Sequence, residues 1–109
     1  MVVRFTEAEI KGMFVIFDEA RLKMARLQGD VNKKYLALKV DRATIWTEKG
    51  LSLGKTVDDR KHALLLETAV QEYEYSDLLA QLEVAKAEVE SIEWKLRMVK
   101  HDRQPSSSS

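Results

Sequence analysis

The chain has 109 residues, 45% hydrophobic and 33% charged, which is room for one domain with a modest core and too little for a complete nucleotide-hydrolysing domain. Eighteen basic residues balance eighteen acidic ones, so net charge alone points to no partner, and the absence of cysteine excludes disulfides, thiolate catalysis and cysteine-bound zinc. No run approaches the roughly 20 apolar residues of a membrane span, and the opening MVVRFTEAEIKGMFVIF is broken by Arg4, Glu7, Glu9 and Lys11, unlike a signal peptide.

Thr6 followed by Glu9 has the spacing of a capping box and starts a helix near Glu7. From there an apolar residue recurs every seventh position: Ile10, Phe17, Met24, Val31, Leu38 and Ile45. The seam positions between them are mixed, with Ala20 and Leu27 apolar but Lys34 and Asp41 not. This repeat predicts one long helix, about 7–48, lying along a partner helix. Gly29 and Asp30 interrupt it, and a glycine inside a helix costs about 1 kcal/mol against alanine. Because the repeat keeps its phase across them, a single helix is expected, with room for a bend.

Residues 50–56, GLSLGKT, spell the end of a phosphate-binding loop. Such a loop reads G-x-x-x-x-G-K-[ST] after a buried strand, whereas Lys49 stands where the first glycine belongs and a helical heptad precedes it. The stretch is expected to be a turn, about 49–56. In it Gly50 closes the first helix in a left-handed conformation, Gly54 allows a tight approach to Thr56, and Leu51 and Leu53 plug the end. Thr56, followed by Asp58 and Asp59, is the expected cap of a second helix, about 57–103.

The second helix carries the most regular heptad: Tyr75, Leu78, Leu82, Ala85, Val89, Ile92, Leu96 and Val99. Before it the apolar positions spread over Leu64, Leu65, Leu66, Ala69, Val70 and Tyr73, a stripe too wide for one partner helix. The expected fold is all-α, a long antiparallel helical hairpin over 1–103, stopped by Pro105 and followed by a disordered tail given as 104–109. A lone hairpin buries one face per helix, so homo-oligomerisation is expected, through Tyr75, Leu78, Leu82, Val89, Ile92, Leu96 and Val99.

Charge is segregated along the chain. From Arg21 to Lys61 eleven basic residues face five acidic ones, a net of +6, whereas Glu67 to Glu93 holds eight acids against Lys86, a net of −7. Lys33, Lys34, Lys39, Arg42, Lys49, Lys55, Arg60 and Lys61, with Tyr35 and Trp46 among them, form a candidate nucleic-acid surface, since bases stack on aromatics and phosphates bind cations. The competing expectation is that this basic helix pairs with the acidic one and that Tyr35 and Trp46 are core. No Glu-x-x-His pair, nucleophile and base constellation or metal set emerges. A non-enzymatic protein without cofactors is expected.

Tyr35 with Leu38, Ala43 with Thr44, Gly54 to Thr56, Arg60 with Lys61 and the polar tail together resemble small all-helical proteins of tailed bacteriophages, themselves similar to recombination mediators. The resemblance implies a homo-oligomer in the host cytoplasm that binds single-stranded DNA and helps a phage recombinase displace the single-strand-binding protein; the lack of an apolar span separately implies no membrane partner. It also implies that the acidic second helix faces away from DNA. The alternative is a coiled-coil assembly factor or an inhibitor of a host protein that does not bind nucleic acid.

Overall fold

The computed structural model describes residues 5–103, and every regular element among them is helical. Helix α1 spans Glu7–Lys49, a 3-10 turn follows at Gly50–Leu53, α2 spans Val57–Glu67 and α3 spans Ala69–Arg103. The expected tail at 104–109 lies outside the described residues. At the start of α1 the Glu9 amide donates to Thr6 Oγ1 at 3.1 Å and the Thr6 hydroxyl donates to the Glu9 carboxylate at 3.1 Å. The cap forms, with its return bond closing on the hydroxyl. α1 continues without a break through Gly29 and Asp30.

The described residues divide into two compact units. One holds α1 up to Arg26 and α3 from Leu82 onward; the other is Leu27–Gln81. In the first, Ala20 of α1 and Leu82, Ala85, Val89 and Val99 of α3 are buried, and Lys23 reaches Glu88 at 3.9 Å. In the second, Leu27, Val31, Leu38 and Thr68 are buried. There the cross-helix pairs run Lys34 to Glu74, Arg42 to Glu72 and Lys49 to Glu67. The partner number falls as the α1 number rises, so the helices pack antiparallel, and the fold is an all-α helical hairpin.

The seven-residue repeat of α1 is the buried side: Val31 and Leu38 are buried and Ile10, Phe17, Met24 and Ile45 half-buried. The α3 heptad does the same, with Tyr75, Leu78, Ile92 and Leu96 half-buried beside the buried Leu82, Ala85, Val89 and Val99. These residues were expected to join subunits. Within the chain they face the other helix of the hairpin, because a heptad seam is satisfied by whichever helix lies against it, while the half-buried Tyr75, Leu78, Ile92 and Leu96 keep part of their surface exposed.

The second helix is interrupted at Thr68, where the backbone sits at φ −104°, ψ 12°. The Thr68 hydroxyl donates back to the Leu64 carbonyl at 3.0 Å, a bond that competes with regular helix geometry. The ladder nevertheless carries on, since the Thr68 amide donates to Leu64 O at 3.1 Å and the Glu72 amide to Thr68 O at 2.9 Å. The interruption is a local loosening between two helices in register.

Candidate interaction surfaces

The GLSLGKT stretch is built as a cap. Ser52 Oγ donates to the Lys49 carbonyl at 2.6 Å and holds the 3-10 turn on the end of α1. Thr56 Oγ1 accepts from the Asp59 amide at 3.0 Å, so the hydroxyl that would serve magnesium in a phosphate-binding loop is spent on α2. Asp58 and Asp59 put negative charge in the first turn, where a phosphate would sit. Three details differ from the sequence expectation. No glycine among the described residues lies in the left-handed region, so Gly50 does not close α1 in a left-handed conformation but opens the 3-10 turn. The close approach at Gly54 is to Asp59 and Arg60 rather than to Thr56, since a Cβ there would lie 2.7 Å from Asp59 Cβ. Leu51 is 83% exposed and plugs nothing, while Leu53 is half-buried.

The candidate nucleic-acid residues separate into two groups. Lys34, Arg42 and Lys49 are engaged across the hairpin. The Lys34 ammonium pairs with Glu74, and the Lys49 ammonium with both Glu67 oxygens at 3.2 Å. Arg42 Nη2 donates to Glu72 at 2.7 Å and Arg42 Nε to Thr68 Oγ1 at 3.2 Å. Lys33, Lys39, Lys55, Arg60 and Lys61 have no ion pair among the described residues; all are exposed except the half-buried Arg60. The Lys39 ammonium stands over the Tyr35 ring at 5.9 Å, and that ring meets Tyr75 at 5.9 Å with a 42° tilt. Tyr35 thus keeps one edge in the hairpin and stays about half exposed, and Trp46 is only 37% exposed. The structure therefore brings part of the basic surface onto the acidic helix and leaves the remainder facing water.

Thr68 was not singled out in the sequence, yet it is almost fully buried and anchors Arg42. The signal was available: stepping back from Tyr75 by four and then three places Gln71 and Thr68 on the seam. Both are polar, so a search for apolar periodicity passes over them. Gln71 Oε1 is buried without a hydrogen-bond partner.

Most of the widened apolar stripe before Tyr75 is exposed, with Leu64 half-buried. Leu65, Leu66, Val70 and Tyr73 are all more than half exposed, with Val70 at 71% and Tyr73 at 74%. Leu36 and Val40, four apart on α1, are each 60% exposed.

Among the described residues no group of three or more His, Cys, Asp or Glu side chains could hold a metal ion, and no helix is long and apolar enough to cross a membrane. No protein-family model, curated protein or solved structure matches this chain.

Proposed function

We propose that this chain is a non-enzymatic interaction protein that works by packing the outside of its hairpin against further helices, copies of itself first among them. The observation that carries this reading is the row Leu66, Val70 and Tyr73, at helical spacing and largely exposed, while the hairpin's own seam is filled by other residues. Large apolar side chains grouped on a surface are a contact surface or an aggregation hazard. Burial yields about 25 cal/mol per Å² of apolar area, so this row favours association. Light scattering on the eluting protein tests it: a mass of two or more chains supports self-association, and a single-chain mass at high micromolar concentration overturns it.

A second reading is supported by the cations Lys33, Lys39, Lys55 and Lys61, which have no ion pair among the described residues. It is that of a phage-type accessory in recombination or replication, which binds single-stranded DNA and meets a recombinase or a single-strand-binding protein in the host cytoplasm. Fluorescence anisotropy with labelled single-stranded DNA tests this one. No binding at about 50 mM salt, where phosphate contacts are strongest, would end it.

A further inference from the structure

Within the first unit an open groove of about 710 Å³ runs between α1 and α3. Its lining includes the small side chains Ala20, Ala87 and Ser91 together with the branched Ile16, Val84 and Ile92. Ile16 and Val84 are 55% and 58% exposed, so the apolar lining meets water in the single chain. Small residues at such a place let another helix come close, and the branched residues beside them supply the apolar area.

Four charged residues line the same groove: Glu19 and Lys23 on α1, Glu88 and Lys95 on α3. On each helix one carboxylate and one ammonium stand on either side of a centre, near Arg21 on α1 and between Ser91 and Ile92 on α3. The Lys23 to Glu88 pair fixes the level of one helix against the other and places Arg21 beside residue 90. The two centres thus differ by about one and a half residues, or roughly 2 Å at 1.5 Å per residue, well within side-chain reach. The pattern is self-complementary about one point. Glu19 and Lys95 have no ion pair among the described residues, so this charge is not consumed within the chain.

We infer that this groove is the contact surface for a second copy of the chain, laid antiparallel over it about a two-fold axis that crosses both helices near Ala20 and Ser91. In that arrangement α1 stacks on α1 and α3 on α3. Glu19 then faces Lys23 of the second copy, Glu88 faces Lys95, and each contact occurs twice, as an isologous interface requires. The small residues Ala20 and Ser91 near the axis let the two hairpins approach, Ile16 and Val84 lie to either side of it, and the contact becomes a four-helix packing. Opposite charges on the rim favour this register over a copy stacked by translation alone, which would set Glu19 on Glu19 and Lys23 on Lys23.

This inference rests on the self-association reading and adds the surface by which it happens. The test follows the mass of the wild type and three variants by light scattering and sedimentation, with circular dichroism at 222 nm as the check on folding. Glu19→Lys sets like charges against each other twice and should raise the dimer dissociation constant at least tenfold, about the scale that like-charge juxtaposition gives at an interface. The fourfold exchange Glu19→Lys, Lys23→Glu, Glu88→Lys and Lys95→Glu inverts every sign, so it keeps the pair between positions 23 and 88 within the chain and opposite charges across the two-fold, and should recover the wild-type mass. Val84→Glu puts a charge in the groove lining and should give single chains of unchanged helicity. A wild-type oligomer that none of these variants weakens overturns the groove while leaving self-association standing. A wild type that is a single chain overturns both.

Discussion

Arg42 and Thr68 join α1 to the point where the second helix loosens: Arg42 Nε donates to Thr68 Oγ1 at 3.2 Å, and the same hydroxyl donates on to Leu64 O at 3.0 Å. The guanidinium's other arm holds Glu72 at 2.7 Å, one turn further along. A fork of this kind is specific to arginine, because one planar group serves a neutral hydroxyl and a carboxylate together. Thr68→Val keeps the shape and removes the hydroxyl, leaving one guanidinium donor unpaired in a half-buried place. The expected loss is about 1 kcal/mol, a fall in Tm of about 4–8 °C for a domain of this size. Arg42→Lys should cost a similar amount, and the double variant less than the sum, since both disrupt one bond. Thermal melts at one fixed protein concentration measure all three.

Much of this hairpin was legible because burial follows a period. Val31 and Leu38 on α1, and Leu82, Val89 and Val99 on α3, are where the heptads placed an inward face, and Thr56 caps α2 as its hydroxyl and the acids behind it implied. What the sequence did not disclose is how a polar seam is resolved. Lys34 and Asp41 occupy seam positions of α1, and Thr68 and Gln71 those opposite. Spacing cannot say whether such groups pair across the hairpin or turn to a ligand, because that depends on distances set by packing. The result divided the basic residues, with Lys34, Arg42 and Lys49 paired and Lys33, Lys39 and Lys55 left in water. The sequence also could not separate the seam from the outer stripe near Val70, where apolar residues surround a buried threonine.

Lys34 tests the cost of that polar seam. Its side chain is 26% exposed and its partner Glu74 is 52% exposed, so losing the ammonium leaves a carboxylate that water still solvates. An exposed pair of this kind is worth about 0–1 kcal/mol, and a leucine buried in its place gains about 1–2 kcal/mol. Lys34→Leu is therefore expected to raise stability by on the order of 1 kcal/mol. A polar seam residue also sets register at a cost in stability, so the same variant should show a broader distribution of masses. A lowered Tm would mean that the pair contributes more than its exposure allows.

The glycines give opposite predictions for one substitution. A Cβ at Gly29 meets nothing within 4 Å, so Gly29→Ala in the interior of α1 should stabilise by about 1 kcal/mol. At Gly54 a Cβ would meet Asp59 Cβ at 2.7 Å and the Arg60 amide nitrogen at 3.1 Å, and backbone there cannot yield cheaply. Gly54→Ala should destabilise by about 1–3 kcal/mol, as overpacking does. The φ of 171° at Gly54 is ordinary extended backbone, so the cost comes from the close approach alone. Denaturant midpoints for the two variants, compared with wild type, should move in opposite directions. Lys55→Ala, exposed beside them, should move the midpoint little.

Val70 and Tyr73 separate folding from association. At 71% and 74% exposure they add little to the hairpin's own packing. Val70→Ser with Tyr73→Ser should therefore change the stability of the dilute protein by no more than about 0.5 kcal/mol each, the usual range for a surface position. If the outer row packs against other helices, the same change removes apolar area from that contact and weakens association. The dependence of Tm on protein concentration reads this directly, because a partner that binds only the folded form raises Tm as its concentration rises. The wild type should show the dependence and the double variant less of it. A large loss of Tm in the dilute variant would place these side chains in the folding core, whereas equal concentration dependence in both would remove the outer row from the interface and leave the groove beside Ala20 to account for assembly.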